Sequence, residues 1–263
     1  MGGSDGEEIA LVTGASSGIG EALARRLARD GRALGLVARR VDRLEALARE
    51  LRDGHHVAVH VLPADLTQPG AVARLVEELG ARGLVVDWLV NNAGFGTAGR
   101  FDTLPVEREL EQVTLNVEAL VELTGRLLPG MVRRRRGVVM NVSSIGGFIP
   151  SPYMATYTGT KAFVLSFSEA IAAELAGTGV HVLCVCPGAT RTEFQDTAGV
   201  DLPAPDFAWQ TADEVADEAV RAVGRGSVVV NGVLNKLTIA TAKLVPHALL
   251  TRITGRMFRP KEV

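Results

Sequence analysis

Tyr157 and Lys161 stand four residues apart in Tyr157-Thr-Gly-Thr-Lys161, and Ser144 lies thirteen residues before the tyrosine. On a helix this spacing puts the phenol and the ammonium on one face, a turn apart. A tyrosine titrates near ~10, and each unit of lowering corresponds to about 1.4 kcal/mol of favoured phenolate. A fixed positive charge close by supplies that bias. The pair is therefore a candidate proton donor and acceptor for chemistry near neutral pH. The same spacing also describes a half-buried tyrosine beside a snorkelling lysine, so its weight rests on the elements that position it.

The chain has 263 residues, 47% of them hydrophobic, and a formal charge of -2. That size suits one α/β domain with a substantial core, and the charge gives no reason to expect a nucleic-acid partner. Apolar runs at Ile9–Val12, Ala33–Ala38, Val57–Leu62, Val86–Val90, Val138–Val142, His181–Val185 and Val228–Val230 read as strands. Amphipathic helices between them include Gly20–Arg29 and Asp42–Leu51. Short, nearly all-apolar strands alternating with helices predict a doubly wound, Rossmann-like α/β fold. Its mostly parallel seven-stranded sheet carries helices on both faces. Residues 1–8 read as a short polar tail, 9–232 as the domain, and 233–263 as a basic amphipathic extension of it. The polar, acidic N-terminus does not read as a signal peptide, and no uncharged apolar stretch reaches the ~18 residues of a spanning helix. Cys184 and Cys186, two apart on one strand, read as reduced core thiols. No metal-ligating pattern accompanies them, and a cytoplasmic location is the default expectation.

In such a sheet, ligands bind beyond the carboxyl ends of the strands. Gly14–Gly20, Arg39, Asp65, Asn91–Gly94, Ser144 and Pro187–Gly188 all fall just after predicted strands. Thr13-Gly-Ala-Ser-Ser-Gly-Ile-Gly20 lies between the first strand and the first helix. Gly14, Gly18 and Gly20 permit a tight turn and close ligand approach. Ser16, Ser17 and Ile19 complete a loop that presents a helix N-terminus to a pyrophosphate. The second strand ends Val37-Ala-Arg-Arg40. An NAD site places a carboxylate there for the ribose hydroxyls; an arginine fork instead suits a 2′-phosphate. Arg39 and Arg40 therefore favour NADP(H) over NAD(H).

These motifs, in this order, resemble the short-chain dehydrogenase/reductase family over about residues 8–232. Thr13–Gly20 matches its cofactor loop, Asn91-Asn-Ala-Gly94 its fourth-strand motif, and Ser144, Tyr157 and Lys161 its catalytic spacing. Asn116 matches the asparagine kept inside a long helix, and Pro187-Gly-Ala-Thr-Arg-Thr192 matches the P-G-x-x-x-T segment. The resemblance implies an oxidoreductase acting on a ketone, aldehyde or secondary alcohol. Tyr157 would be the general acid/base and Ser144 the partner of the substrate oxygen. Lys161 would lower the Tyr157 pKa and bind the nicotinamide ribose, while Asn116 would hold a water leading to Lys161. Asp65 and Leu66 would meet adenine; Asn92, Ala93, Gly94, Pro187, Gly188 and Thr192 would meet the rest of the dinucleotide. A homodimer or homotetramer is implied as well.

Substrate would be shaped by residues 146–154 and by a lid at about 189–210. Phe148 and Phe194 are the leading candidates among Phe148, Ile149, Tyr153, Met154, Phe194 and Trp209, and they suit an apolar compound. Between Leu234 and Lys261 cations interleave with leucine, isoleucine and phenylalanine, and no acid appears before Glu262. Such a tail fits packing over the substrate mouth, an oligomer interface, or peripheral contact with an anionic membrane; packing or interface is the favoured reading. Alternative functions are a non-catalytic nucleotide sensor on the same fold and an epimerase or dehydratase.

Overall fold

The computed structural model describes residues 6–200, 204–242 and 244–258. The first half of the chain runs β1 (Glu7–Thr13), α1 (Gly18–Arg29), β2 (Leu34–Ala38), α2 (Val41–His55), β3 (Val59–Pro63), α3 (Ala71–Ala81) and β4 (Leu84–Asn91). One long helical stretch follows as α4 (Val106–Val113), a π turn (Thr114–Glu118) and α5 (Ala119–Arg134). Next come β5 (Gly137–Val142), α6 (Ala155–Glu174) and β6 (Val180–Cys186). The remainder is β7 (Thr190–Arg191), α7 (Phe194–Ala198), β8 (Gln210–Thr211), α8 (Ala212–Ala222), β9 (Val228–Val230), α9 (Val233–Ala242) and α10 (His247–Met257).

The main sheet has seven strands in the order β3-β2-β1-β4-β5-β6-β9, and every pairing in it is parallel. Successive residues of a strand face opposite sides, so each central strand feeds two cores. Ala10, Val12, Trp88, Val90, Met140 and Val185 meet Leu23, Leu27, Leu44 and Val215 of α1, α2 and α8. Ile9, Leu11, Leu89, Val139 and Val182 meet Leu75, Leu79, Leu123 and Ile171 of α3, α5 and α6. Burying one such leucine stabilises by about 1.5–3 kcal/mol. That two-sided burial explains why the strands read as continuous apolar runs.

All seven expected strands form, with shifted ends. β1 starts at Glu7, inside the segment expected as tail, because Glu7 and Glu8 pair in register with Leu84 and Val85. Their carboxylates face outward, Glu7 to His60 at 3.1 Å and Glu8 to Arg136. Residues 1–5 of the expected tail lie outside the described residues. Cys184 and Cys186 are buried and free, as expected. No helix among the described residues is long and apolar enough to cross a membrane.

A buried polar ladder ties the helices that carry the site to the sheet. Asn91 Nδ2 donates to Thr124 of α5 at 3.1 Å and to Asn141 Oδ1 at 2.9 Å. Asn141 Nδ2 then donates to Ser168 Oγ of α6 at 2.9 Å, and Ser168 donates to the Val164 carbonyl at 2.6 Å. Asn141→Leu strips partners from Asn91 and Ser168 at near-constant volume. Leaving buried polar groups unmatched costs about 1–3 kcal/mol, so urea unfolding should show a stability loss of about that size with an unchanged m-value. An unchanged midpoint would show that the ladder does not hold these helices.

Candidate active site

The loops after β1 and β4 are clasped together by Thr13. Its hydroxyl donates to the Val90 carbonyl at 3.1 Å and accepts from the Asn92 and Ala93 amides, each at 3.0 Å. Asn92 Nδ2 donates back to the Thr13 carbonyl at 3.0 Å. Gly14 turns at φ 67°, and a Cβ there would stand 2.8 Å from Asn92 Nδ2. At Gly20 a Cβ would stand 2.3 Å from the Gly14 carbonyl oxygen. No larger residue fits this crossing, which brings the N-terminus of α1 up to the sheet edge. Ser17 is the N-cap of α1, yet its side chain does not cap the helix; its Oγ accepts from Arg40 at 2.7 Å. The first-turn amides and the dipole are thereby left for an anion.

At the end of β2 the two arginines differ. Arg39 is exposed and makes no hydrogen bond or ion pair among the described residues. Arg40 is committed: Nε donates to Ser16 Oγ at 3.1 Å and Nη1 meets Glu193 at 2.8 Å. Arg43 binds the other Glu193 oxygen at 2.5 Å, and the bonds from Arg43 and Arg40 pull the Glu193 pKa down to about 2. Asp65 lines the same space. Burial works to raise its pKa, but the Thr67 hydroxyl and backbone N–H, Gln68 and the Arg39 charge hold it below the usual value.

On α6, Lys161 is only 6% exposed and donates from Nζ to the Val142 carbonyl at 2.9 Å. Burial lowers its pKa to about 8. The Lys161 Nζ lies 5.8 Å from the Tyr157 ring centroid, and Phe194 packs on the ring at 5.0 Å. Burial pushes the Tyr157 hydroxyl up to about 12, with the nearby Ser144 side chain acting in the opposite direction. That direction differs from the one expected from the spacing, and its cause is desolvation of the phenolate by burial. Ser144 Oγ also accepts from the Gly146 amide at 3.0 Å. Ser143 is held away from this role by donating to the Lys161 carbonyl at 2.7 Å.

Asn116 sits in the π turn and is buried. Its Nδ2 donates to the Phe95 carbonyl at 2.9 Å and Thr160 Oγ1 at 3.1 Å, while Oδ1 accepts from the Phe95 amide at 3.1 Å. A Cβ on Gly94 would lie 2.8 Å from that Oδ1 and 3.5 Å from Lys161 Nζ. The asparagine thus holds the 94–95 backbone against Lys161.

One cavity of about 720 Å³ runs along the whole sheet edge. Its lining includes Gly14, Ser16, Ser17, Gly18, Ile19, Arg39, Arg40, Asp65, Leu66, Asn92, Ala93 and Gly94. Further along it meets Ser144, Tyr157, Lys161, Pro187, Gly188, Thr192 and Phe194. Gly20 and Asn116 act from behind this wall. Phe148 does not line it: after the turn Ile145–Gly147 the ring packs on Leu120, Val164, Leu165 and the two cysteines. Tyr153 and Trp209 are outside the lining too, whereas Ile149 and Met154 are part of it. The expected lid is pinned at its ends, where β7 and β8 pair Thr190 with Gln210 and Arg191 with Thr211; residues 201–203 of it lie outside the described residues.

The far wall comes from the C-terminal extension, in line with one of the readings of that tail, packing over the substrate mouth. Thr238, Thr241, Val245, Leu250, Ile253 and Met257 of the C-terminal extension line the same cavity. Their helical spacing was visible, but nothing local to them showed where the helices dock. Arg108 was missed; it lies 3.8 Å over the Phe95 ring and is neutralised by Glu111 at 2.6 Å.

The doubly wound sheet and the glycine loop at its carboxyl edge define a dinucleotide-binding fold of the Rossmann type. The family model described as short chain dehydrogenase matches residues 8–202, and the chain belongs to that family of oxidoreductases. It is 35% identical over 253 residues to an uncharacterized oxidoreductase of Myxococcus xanthus (strain DK1622), covering 94% of this chain and 96% of that protein. A short-chain dehydrogenase from Sphingobium yanoikuyae solved in complex with NADPH is 39% identical, with a TM-score of 0.79 over 90% of this chain and 94% of that one. A structure solved for the stereoselectivity of 7beta-hydroxysteroid dehydrogenase is 28% identical, with a TM-score of 0.85 over 95% and 97% of the two chains.

Lys161, Lys236, Lys243 and Lys261 are the only lysines, so titration of Lys161 can be read directly. In a sample labelled with ¹³C-lysine, one Cε resonance should titrate near pH 8 and be missing in Lys161→Met. An unfolded lysine titrates near ~10.4. Between those values the unfolded chain binds the extra proton, and the Lys161 contribution to stability rises with pH. Four resonances titrating together near ~10.4 would overturn the burial account.

Proposed function

We propose that the protein is an NADP(H)-dependent oxidoreductase that interconverts an apolar carbonyl compound and its secondary alcohol, with Tyr157 as general acid/base. The observation that carries this reading is that Tyr157, Ser144 and Lys161 line one cavity continuous with the glycine loop. When bound, the nicotinamide supplies or accepts the hydride. Tyr157, with a pKa of about 12, keeps its proton across the working range and can donate it to a carbonyl oxygen. Ser144 is the second hydroxyl aimed at that oxygen and stabilises charge developing on it. Lys161, buried beside the ring, favours the phenolate once the proton has left. With both N–H donors and its oxygen engaged by protein, Asn116 is read as a positioning residue for Gly94 and Phe95.

The residues fit the dinucleotide. Uncapped amides at α1 suit a pyrophosphate, Asp65 and Leu66 flank the adenine end, and Thr192 with Pro187–Gly188 flanks the nicotinamide end. Arg39, unpartnered and beside a position that holds Ala38 rather than a carboxylate, is the group best suited to a 2′-phosphate. Arg40 supports it by fixing Ser16 and Ser17. The Sphingobium relative's NADPH complex supports the same preference. Ile149, Met154, Phe194, Leu250 and Ile253 give the substrate end an apolar wall, in keeping with the steroid-acting neighbour. Exposed Leu110, Val121 and Phe163 on α4, α5 and α6 support self-association, and buried free thiols suit a reducing cytoplasmic setting.

Two experiments test the reading. A panel of ketones, aldehydes and secondary alcohols with NADPH or NADP⁺ identifies a turned-over substrate. Tyr157→Phe should then lower kcat by about 10²- to 10⁴-fold with NADPH affinity retained, and near wild-type turnover would exclude the mechanism. Arg39→Ala should cost about 1.5–3 kcal/mol of NADPH binding, the range for a lost charged hydrogen bond, and leave NADH binding nearly unchanged. Equal losses for both cofactors would exclude Arg39 as the phosphate fork.

A further inference from the structure

Helices α9 and α10 touch the rest of the molecule with one side only. α9 buries Asn235, Ile239 and Ala242, and Gly188 lies so close to Asn235 that a Cβ there would be 2.2 Å from Nδ2. α10 is tied to the loop before α6 by Thr254, whose hydroxyl donates to the Pro150 carbonyl at 2.9 Å. The outer sides are apolar. Val233 is 82% exposed, Leu237 61%, Leu244 85% and Leu249 48%. Seven of the fourteen exposed large hydrophobics among the described residues fall in Val233–Met257.

Cations are set among them. Leu249, Arg252, Ile253, Arg256 and Met257 recur at helical spacing on one face of α10, and all five are exposed. Lys236 and Leu237 are exposed on α9. No Asp or Glu occurs from Val233 to Lys261, so these helices carry cations and no acid of their own. A symmetric pairing of two copies through this surface would set like charges against like. Acyl chains beneath anionic headgroups match both components at once. Ile253 and Met257 belong to the exposed face and also line the cavity.

We propose that the α9–α10 face is a docking surface for an anionic lipid bilayer, seated so that the cavity mouth opens onto the membrane. An apolar substrate can then pass from lipid to the Tyr157 end without crossing bulk water. The substrate route rests on the proposed function; the docking surface does not.

The full chain is sedimented with sucrose-loaded vesicles of phosphatidylcholine alone, or of phosphatidylcholine and phosphatidylglycerol in equal amounts. Partitioning should be at least about tenfold stronger on the anionic vesicles and fall with added salt. Leu237→Glu/Leu244→Glu and Arg252→Glu/Arg256→Glu should each lower it at least about tenfold, with thermal melting unchanged. Neither pair includes a cavity-lining residue, and the wild-type comparison of vesicles needs no variant. No binding, equal binding to both vesicles, or binding unaffected by either pair would overturn the proposal. It would also fall if the variants changed the sedimentation-velocity mass but not vesicle partitioning, because the face would then join copies of the chain. Since vesicle binding is read without turnover, failure here is distinct from failure of the oxidoreductase reading.

Discussion

A lysine ammonium buried at the end of a strand is the constraint around which this molecule is arranged. Taking such a charge out of water costs several kcal/mol even after relaxation, and the surroundings of Lys161 offset that cost piece by piece. The Val142 carbonyl accepts from it at the point where β5 stops. Ser143, the next residue, takes the Lys161 carbonyl as its own acceptor and so locks the helix to the strand. The Tyr157 ring, with its negative π face, covers the charge from one turn away. A side chain at position 94 would displace Asn116, whose Oδ1 lies 2.8 Å from where its Cβ would stand.

The parallel sheet makes this arrangement possible because every strand delivers its last residue to the same edge. β1 and β4 are joined there by Thr13 and Asn92, β4 and β5 by Asn91 and Asn141, and β5 and α6 by Ser143 and Lys161. Each link is a hydrogen bond between polar residues at or near a strand's carboxyl end, in a protein whose strands are otherwise apolar. Thr13, Asn91, Asn141 and Ser143 are the buried polar residues that make these links. Rigidity of the site therefore comes from the same bonds that satisfy its buried polar groups.

Much of this was legible in the sequence because it is local. Strand runs carry their own signature when both faces are buried, and Gly14, Gly18 and Gly20 mark a loop whose crossing geometry admits nothing larger. Other features were not local. Phe148 read as substrate-facing from its position between Ser144 and Tyr157, yet the tight turn at Ile145–Gly147 delivers it to a cluster on α5, α6 and β6. Spacing alone showed a cation near a phenol but not how far the phenol is desolvated, which sets the direction of the Tyr157 shift. The amphipathic pattern after residue 233 announced helices and offered the substrate mouth as one of several things they could cover, without choosing among them. Arg39 and Arg40 looked interchangeable in sequence; the contacts of Arg40 with Ser16, Ser17 and Glu193 separate them.

Glu193 stands next to Phe194, which packs on Tyr157, and it bridges two arginines at the far end of the cavity. The end of β2 and the segment following β6 therefore share one set of charges. A substitution at Arg40 would leave Glu193 without one of its partners, beside the residue that touches the tyrosine ring. The glycine loop that Arg40 holds and the segment that carries the aromatic cover of Tyr157 are therefore coupled through one carboxylate, and a change at either end is felt at the other.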